Sequence, residues 1–405
     1  MDLEQRLMDE IKSGNVDIER ALLIISGLKT EEELTGYVQK ISIIADRFIL
    51  WRNSSDASTK VDDVQLAQDL FNYLWQLKSN RYNQDFLLTR VVDNQLSPET
   101  DHPVGDCIGL TSLYTVLGLR FGLKLEILTT KSHVISLLNN KILIENTLAN
   151  GFGYSRESFF EYHGKVVKHD VSGLIPLVDL KKVGKEENPD EVLSCLNRAM
   201  AFSISPLEEA HLYIMRALIL GKKGDLDGAI RDYLKAIELD YTTIDISKKG
   251  IALTYFLKSF ESRNNKEAIA NLDQAIIYSP DLIDAILNRG QLKMMIGMYH
   301  SAMDDAKAAE KINPESSKAA CLKGTANLFL GNYIDAIMDF DKAITLDRLY
   351  AFSYLNRGNA KAELGDYKGA LDDFITTISL ASDPLVPSIA LQRKNEVLRM
   401  LAGIH

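Results

Sequence analysis

Apolar positions in the first half of the chain recur at helical spacing and then switch to a shorter period. Steps of three and four residues predict helices over Leu3–Ser13, Asp17–Leu28, Glu31–Trp51 and Val61–Leu77. The polar stretch Asn53–Lys60 separates the last two and supplies capping groups. A loop of mixed polar and aliphatic residues is expected from Ser79 to Gly105. The next helix, Cys107–Phe121, carries Leu110, Leu113, Tyr114, Leu117 and Phe121 on one face. Three β-like runs follow, Leu123–Thr130, His133–Leu138 and Lys141–Asn146, with Asn139-Asn140 as a hairpin turn between the last two.

The second half repeats one pattern. Gly290, Gly324 and Gly358 open successive units 34 residues apart, and Ala302, Ala336 and Ala370 keep that spacing. Gly297, Gly331 and Gly365 suit a tight turn between two helices, while Phe340 and Phe374 fill the space between units. Two earlier units are less regular: Gly224, Ala229, Tyr233 and Ala236, then Ala268, Leu272, Ala275 and Pro280. The longer step between Ala229 and Ala268 places extra residues in a first helix or in the turn around Ser259–Asn265. Asp190–Ser203 reads as a lone second helix capping the array, and a helix through Met400 closes it. This period and these residues resemble tetratricopeptide repeats, which implies a helical solenoid with a concave groove for a protein or peptide. Asn288, Lys318 and Asn356 stand where a carboxylate clamp would, but Leu253, Leu257 and Leu322 interrupt it, so a general protein or peptide partner is expected.

Composition narrows the function. The 405 residues carry a formal net charge of −10, which argues against nucleic acid and anionic membrane as partners. No apolar run approaches the ~18 residues of a membrane span, and the acidic start MDLEQRLMDEIKSG lacks a signal-peptide core. Cys107, Cys195 and Cys321 form no CxxC pair, so a reducing, cytoplasmic setting is expected. Cys195 and Cys321 fall in helices and read as packing residues. Gly151-Phe152-Gly153 lacks the third glycine of a dinucleotide site, and no phosphate loop is present, so no cofactor is expected. His163, His169 and Asp170 have no zinc spacing, so no metal is expected either.

Candidate chemistry gathers around Cys107. It follows Gly105-Asp106 at the start of a helix, where free backbone N–H groups and the helix dipole favour a thiolate. His133 opens the following β run and could take the thiol proton. Glu145 or Asn146, near the end of the next run, could orient the imidazole. A two-residue turn at Asn139-Asn140 would set His133 opposite Asn146 and Val134 opposite Glu145, which favours Asn146. Besides the Cys107 N–H, Asn94 and Gln95 are candidate oxyanion donors, and His102 reads as a loop surface residue.

The run GDCIGLTSLYTVLGLRFGLKLEIL, then SHVISLL, then ILIENT resembles the core of the transglutaminase-like superfamily. Arg120, Gly122 and Leu123 match its turn, and Thr147 its final threonine. The resemblance puts the third site residue at Glu145, where the superfamily usually has Asp, and His133 lacks that site's usual second aromatic neighbour. The helical lead and trailing repeats are similar to the bacterial branch of that superfamily. The implied fold is an α+β transglutaminase-like (papain-like) domain over 1–185, followed by an all-α repeat solenoid over 186–405. Two functions follow. One is a thiol hydrolase or acyltransferase acting on a protein or peptide amide, with Cys107, His133 and Glu145 or Asn146 as its catalytic residues. The other is a non-catalytic scaffold with a degenerate transglutaminase-like domain. Neither sets an oligomeric state.

Overall fold

The computed structural model describes residues 2–54, 62–76, 78, 81–99, 103–130, 133–154, 166–202, 205–380 and 385–402. The chain forms two compact units, Met1–Ile219 and Leu220–His405. Among the described residues no helix is long and apolar enough to cross a membrane.

The first unit opens with helices α1 (Leu3–Ser13), α2 (Ile18–Ile25), α3 (Glu31–Ser54) and α4 (Asp63–Gln76), whose apolar faces share one core. The span expected to be a loop contains a further helix, α5 (Leu88–Leu96). Leu88, Val91 and Val92 are buried there at helical spacing, and the polar Gln95 is buried with them.

Helix α6 (Cys107–Arg120) is buried on every side from Cys107 to Gly118. That fits a helix that is apolar nearly all round. It packs against a five-stranded antiparallel sheet. The strands are β1 (Leu125–Thr129), β2 (Val134–Leu138), β3 (Ile142–Ile144), β4 (Phe152–Tyr154) and β5 (Val167–His169), in the order β4-β3-β2-β1-β5. Helices α7 (Leu174–Val183), α8 (Pro189–Met200) and the first part of α9 (Pro206–Lys223) complete the unit.

The hairpin turn falls at Asn139-Asn140, both at positive φ (50° and 56°), and the Lys141 N–H closes it on the Leu138 carbonyl at 2.9 Å. The ladder, however, pairs Leu138 with Ile142 and Ser136 with Ile144. Lys141 is therefore one residue more than a two-residue turn allows, and the register that would set His133 opposite Asn146 is not formed.

Helix α8 is tied to elements of the first unit. The buried Arg198 on α8 donates to Asp179 on α7 (2.7–3.2 Å) and reaches Glu4 on α1. These long-range pairs draw α8 into the first unit.

The second unit is a series of antiparallel helix pairs. Helix α10 (Leu226–Leu239) leads into α11 (Ile244–Phe260) and α12 (Asn265–Tyr278). Three regular pairs follow: α13/α14 (Ile283–Met295, Tyr299–Ile312), α15/α16 (Ser317–Phe329, Tyr333–Leu346) and α17/α18 (Ala351–Glu363, Tyr367–Leu380), closed by α19 (Leu385–Leu401). Gly297, Gly331 and Gly365 all adopt φ of 80° in the intervening turns. A Cβ at Gly324 would stand 2.9 Å from the Phe340 ring, and one at Gly358 would stand 2.8 Å from the Phe374 ring, so these glycines set how closely paired helices approach. The extra residues of the irregular unit enter α11, which has 17 residues where α13, α15 and α17 have 13. A 3-10 turn, Tyr241–Thr243, precedes it.

Candidate active site

Cys107 is the first residue of α6, and several bonds fix the chain before it. The Asp106 N–H donates to the Asp85 carbonyl at 2.7 Å, and the buried Asp106 carboxylate caps the helix by accepting from Gly109 N–H at 2.9 Å. Lys181 on α7 forms an ion pair with the same carboxylate. A Cβ on Gly105 or Gly109 would lie 2.9 or 2.8 Å from the Asp85 carbonyl, so only glycine allows this close passage. The Val104 and Gly105 N–H groups both donate to the Arg81 carbonyl at 2.9 Å.

Thr111 Oγ1 donates to the Val134 carbonyl at 3.2 Å, which fastens α6 to β2 beside His133. The Nε2 of His133 is hydrogen-bonded to Glu145 Oε2, and the Cys107 thiol lies beside the same imidazole and favours its charge. Glu145 Oε1 accepts from the Thr147 N–H at 2.9 Å and its hydroxyl at 2.6 Å. Burial opposes charge on His133, but Cys107 and Glu145 outweigh it and push the imidazole pKa up to about 10. Burial likewise pushes the Glu145 carboxyl up, yet His133 and Thr147 hold it below its ordinary value. Gly151 supports the acid: its carbonyl accepts from the Glu145 N–H at 2.9 Å, and a Cβ there would collide with the Glu145 backbone and stand 2.8 Å from its Cβ.

The structure thus brings Cys107, His133 and Glu145 together and separates Asn146 from them. The Asn146 amide points into the core, donating to Ser136 Oγ at 3.0 Å and Thr111 Oγ1 at 3.3 Å. The extra turn residue Lys141 is the reason, since it moves Asn146 off the position facing His133. Neither of these amides, both on α5, offers itself as an oxyanion donor. Asn94 Nδ2 is engaged with Asp85 Oδ2 (2.8 Å) and the Val104 carbonyl (3.0 Å), while Gln95 is buried against Arg81. The Cys107 N–H at the helix start keeps that candidacy. Arg120, matched to the family turn, pairs with Glu19 and donates to Ser42 Oγ at 2.8 Å, so it anchors helices.

His102 and His163 lie outside the described residues. His169 Nε2 bonds Thr129 Oγ1 at 2.9 Å, and Asp170 caps a short helical turn through the Ser172 N–H at 2.7 Å. Among the described residues no group of three or more His, Cys, Asp or Glu is placed to hold a metal ion. Burial pushes the Cys195 thiol up to about 12 and the Cys321 thiol up to about 11. A cavity of about 620 Å³, lined by Thr129, His169, Leu177, Phe202, Leu212 and Met215 among others, lies apart from the thiol group: none of Cys107, His133 and Glu145 lines it. Lys181, Asp85, Gly151 and the Arg81 carbonyl were not singled out by sequence reasoning. Gly151 alone had a visible signal, as part of Gly-Phe-Gly.

Comparisons with known proteins bear on the second half of the chain. The tetratricopeptide-repeat family profile matches residues 210–243 and 317–348. No curated protein matches the chain. Among solved structures, the chain is similar to YrrB, described as a TPR protein with an unusual peptide-binding site, at 23% identity over 46% of this chain and 93% of that one, TM-score 0.37. It is also similar to MamA (22% identity, 42% and 90% covered, TM-score 0.34). A third is a tetratricopeptide repeat protein from Parabacteroides merdae (17% identity, 57% and 86% covered, TM-score 0.36). The C-terminal region is a helical, tetratricopeptide-like solenoid, preceded by an α+β domain.

Proposed function

We propose that this chain is a protein-interaction protein whose repeat solenoid takes an apolar segment of a partner protein. The repeat register, with the family profile matching at two places in it, carries this reading. Helix α11 adds the chemistry: Leu253, Leu257 and Phe260 recur at one face of that helix and are 51, 51 and 65% exposed. An apolar stripe at that spacing suits the apolar side chains of a docked segment. The carboxylate clamp is unsuited to this groove, since Asn288 bonds back to the Asp284 carbonyl at 2.8 Å and Leu322 is buried. A photo-crosslinker placed at Leu257 should capture a defined partner. The double variant Leu253→Asp/Leu257→Asp should fold and lose it, and capture unchanged in that variant would overturn the reading.

A second reading is favoured by one observation, the shared imidazole of His133 between Cys107 and Glu145. On this reading the first domain is transglutaminase-like and its thiol acts on an amide or ester carbonyl. The Cys107 sulfur attacks the carbonyl carbon, His133 delivers a proton to the leaving amine, and a thioester remains. Water or a second amine then attacks that thioester and regenerates the thiol. An imidazolium beside a sulfur at a helix N-terminus is the setting in which thiol nucleophiles are activated. Intact-mass analysis after exposure to p-nitrophenyl acetate should find one acetyl group on Cys107, absent in Cys107→Ala and formed more slowly in His133→Ala. Acetylation spread evenly over the three cysteines would defeat this reading and leave the partner-binding one intact.

A further inference from the structure

Behind the segment that leads to Cys107 lies a polar cluster that the candidate site does not use. Two cations are buried there within five positions of one another, Lys78 at 1% exposure and Arg81 at 2%. The Lys78 ammonium is taken up by the carbonyls of Ser97 (3.0 Å) and Glu99. Arg81 has less. Its Nη2 donates to Gln95 Oε1 at 3.3 Å, and its guanidinium carbon stands 5.5 Å from the centre of the Trp75 ring. Among the described residues no carboxylate pairs with it, and burial alone pushes its pKa down to about 9.

Arg81 Nε, Gln95 Nε2 and Trp75 Nε1 are all buried, and none has a hydrogen-bond acceptor among the described residues. A buried charge needs a counter-charge or a full set of hydrogen bonds, and a buried donor left without an acceptor is costly. Three such donors, on a cation without a described carboxylate partner and on two side chains next to it, make a donor set suited to an anion.

We propose that Trp75, Arg81 and Gln95 bind a small monoanion of the halide class, chloride under cellular conditions. One positive charge without a carboxylate among the described residues calls for one negative charge, which disfavours sulfate or phosphate. The near-complete burial of Arg81 and Gln95 (5% exposed) disfavours a carboxylate carried on a larger molecule. The ion would also brace the thiol group's support, because the Arg81 carbonyl receives the Val104 and Gly105 N–H groups just ahead of Cys107.

Bromide replaces chloride in two measurements on the intact protein. Crystals grown in bromide should give an anomalous peak within hydrogen-bond distance of the three nitrogens. In solution, exchanging gluconate for chloride at constant ionic strength should raise the unfolding midpoint. Above the dissociation constant, the unfolding constant should fall about tenfold for each tenfold rise in chloride. Arg81→Met should abolish that dependence. Trp75→Phe, which keeps a ring and removes one donor, should fold and need more chloride for the same effect. Equal stability in chloride and gluconate, with a water molecule between the donors, would overturn the proposal. A bromide peak without any dependence in solution would mark an adventitious ion only, and would overturn it equally.

Discussion

Glu145 holds His133 with one carboxylate oxygen and is itself held by Thr147 with the other, so the acid has a single direction in which to point. This sets the sign of the site's pH dependence. The His133 pKa rises from 6.5 to about 10, so its contribution to stability is fully present below pH 6.5 and is lost as pH climbs through 10. The Glu145 pKa is lowered from 4.5, so its contribution is present above pH 4.5 and is lost as pH falls through the lowered value. The pair therefore stabilises most between pH 4.5 and 6.5. Glu145→Gln should flatten both limbs of the stability-versus-pH curve and return the His133 titration, followed by NMR, toward its ordinary range. A His133 titration unchanged in this variant would count against the pairing.

Asn146 and Glu145, adjacent in sequence, should respond to substitution in opposite ways. Asn146→Ala leaves Ser136 and Thr111 without their amide partner in the core, at a cost of about 1–3 kcal/mol in stability, with the His133 titration unmoved. Glu145→Ala should move that titration. Chemical denaturation together with NMR of the two variants separates the roles.

The three cysteines should differ in reactivity. Cys107 lies beside the protonated His133, whereas burial drives the thiols of Cys195 and Cys321 toward the un-ionised form at neutral pH. Iodoacetamide at pH 6 should label Cys107 well before the other two, as read by peptide mass spectrometry. His133→Ala should slow Cys107 to their rate.

Gly151→Ala should act on Glu145 at a distance in sequence. Its new methyl would meet the Glu145 backbone, which is not the far end of a flexible side chain and must shift. We expect a stability loss of about 1–3 kcal/mol, in the range for overpacked sites. A matching fall in Cys107 labelling rate would show that the displaced acid no longer supports His133.

In the solenoid, Phe340→Ala should cost about 3–5 kcal/mol, because this ring is fully buried against Gly324. Calorimetry checks the loss. A second substitution, Gly324→Ala, should recover part of it by filling the space the ring leaves, and full additivity of the two losses would argue against their contact.

What could be read from the sequence follows what is periodic or local. The repeat frame was legible because the same small residues recur at a fixed step, and α6 because its apolar residues begin directly after a capping aspartate. The turn at Asn139-Asn140 was legible as well, since both residues tolerate positive φ. The ladder register was not, because it depends on where Lys141 is accommodated, and no side-chain preference marks that. Helix α5 was hidden by Asn94 and Gln95, polar residues on its inner side that meet partners outside the helix, Asp85 and Val104 for Asn94 and Arg81 for Gln95. Strands β4 and β5 have three residues each, too short to show alternation. The choice between Glu145 and Asn146 needed the register, so the residues alone left it open.

The lengthened helix α11 has a consequence for how the second unit comes apart. A solenoid behaves as a chain of coupled links, each steadied by its neighbours, and a misfit link is where cooperativity is weakest. The three regular pairs from Ile283 to Leu380 would then melt as one block, with the α11–α12 pair as another. Arg289 spans the seam between them, holding Asp273 at 2.6 Å on one side and Asp305 at 2.5 Å on the other. The same pattern, Arg357 between Asp341 and Asp373, links the later pairs, so the seam carries the repeat's ordinary ion pairs while its helix length departs from the rest.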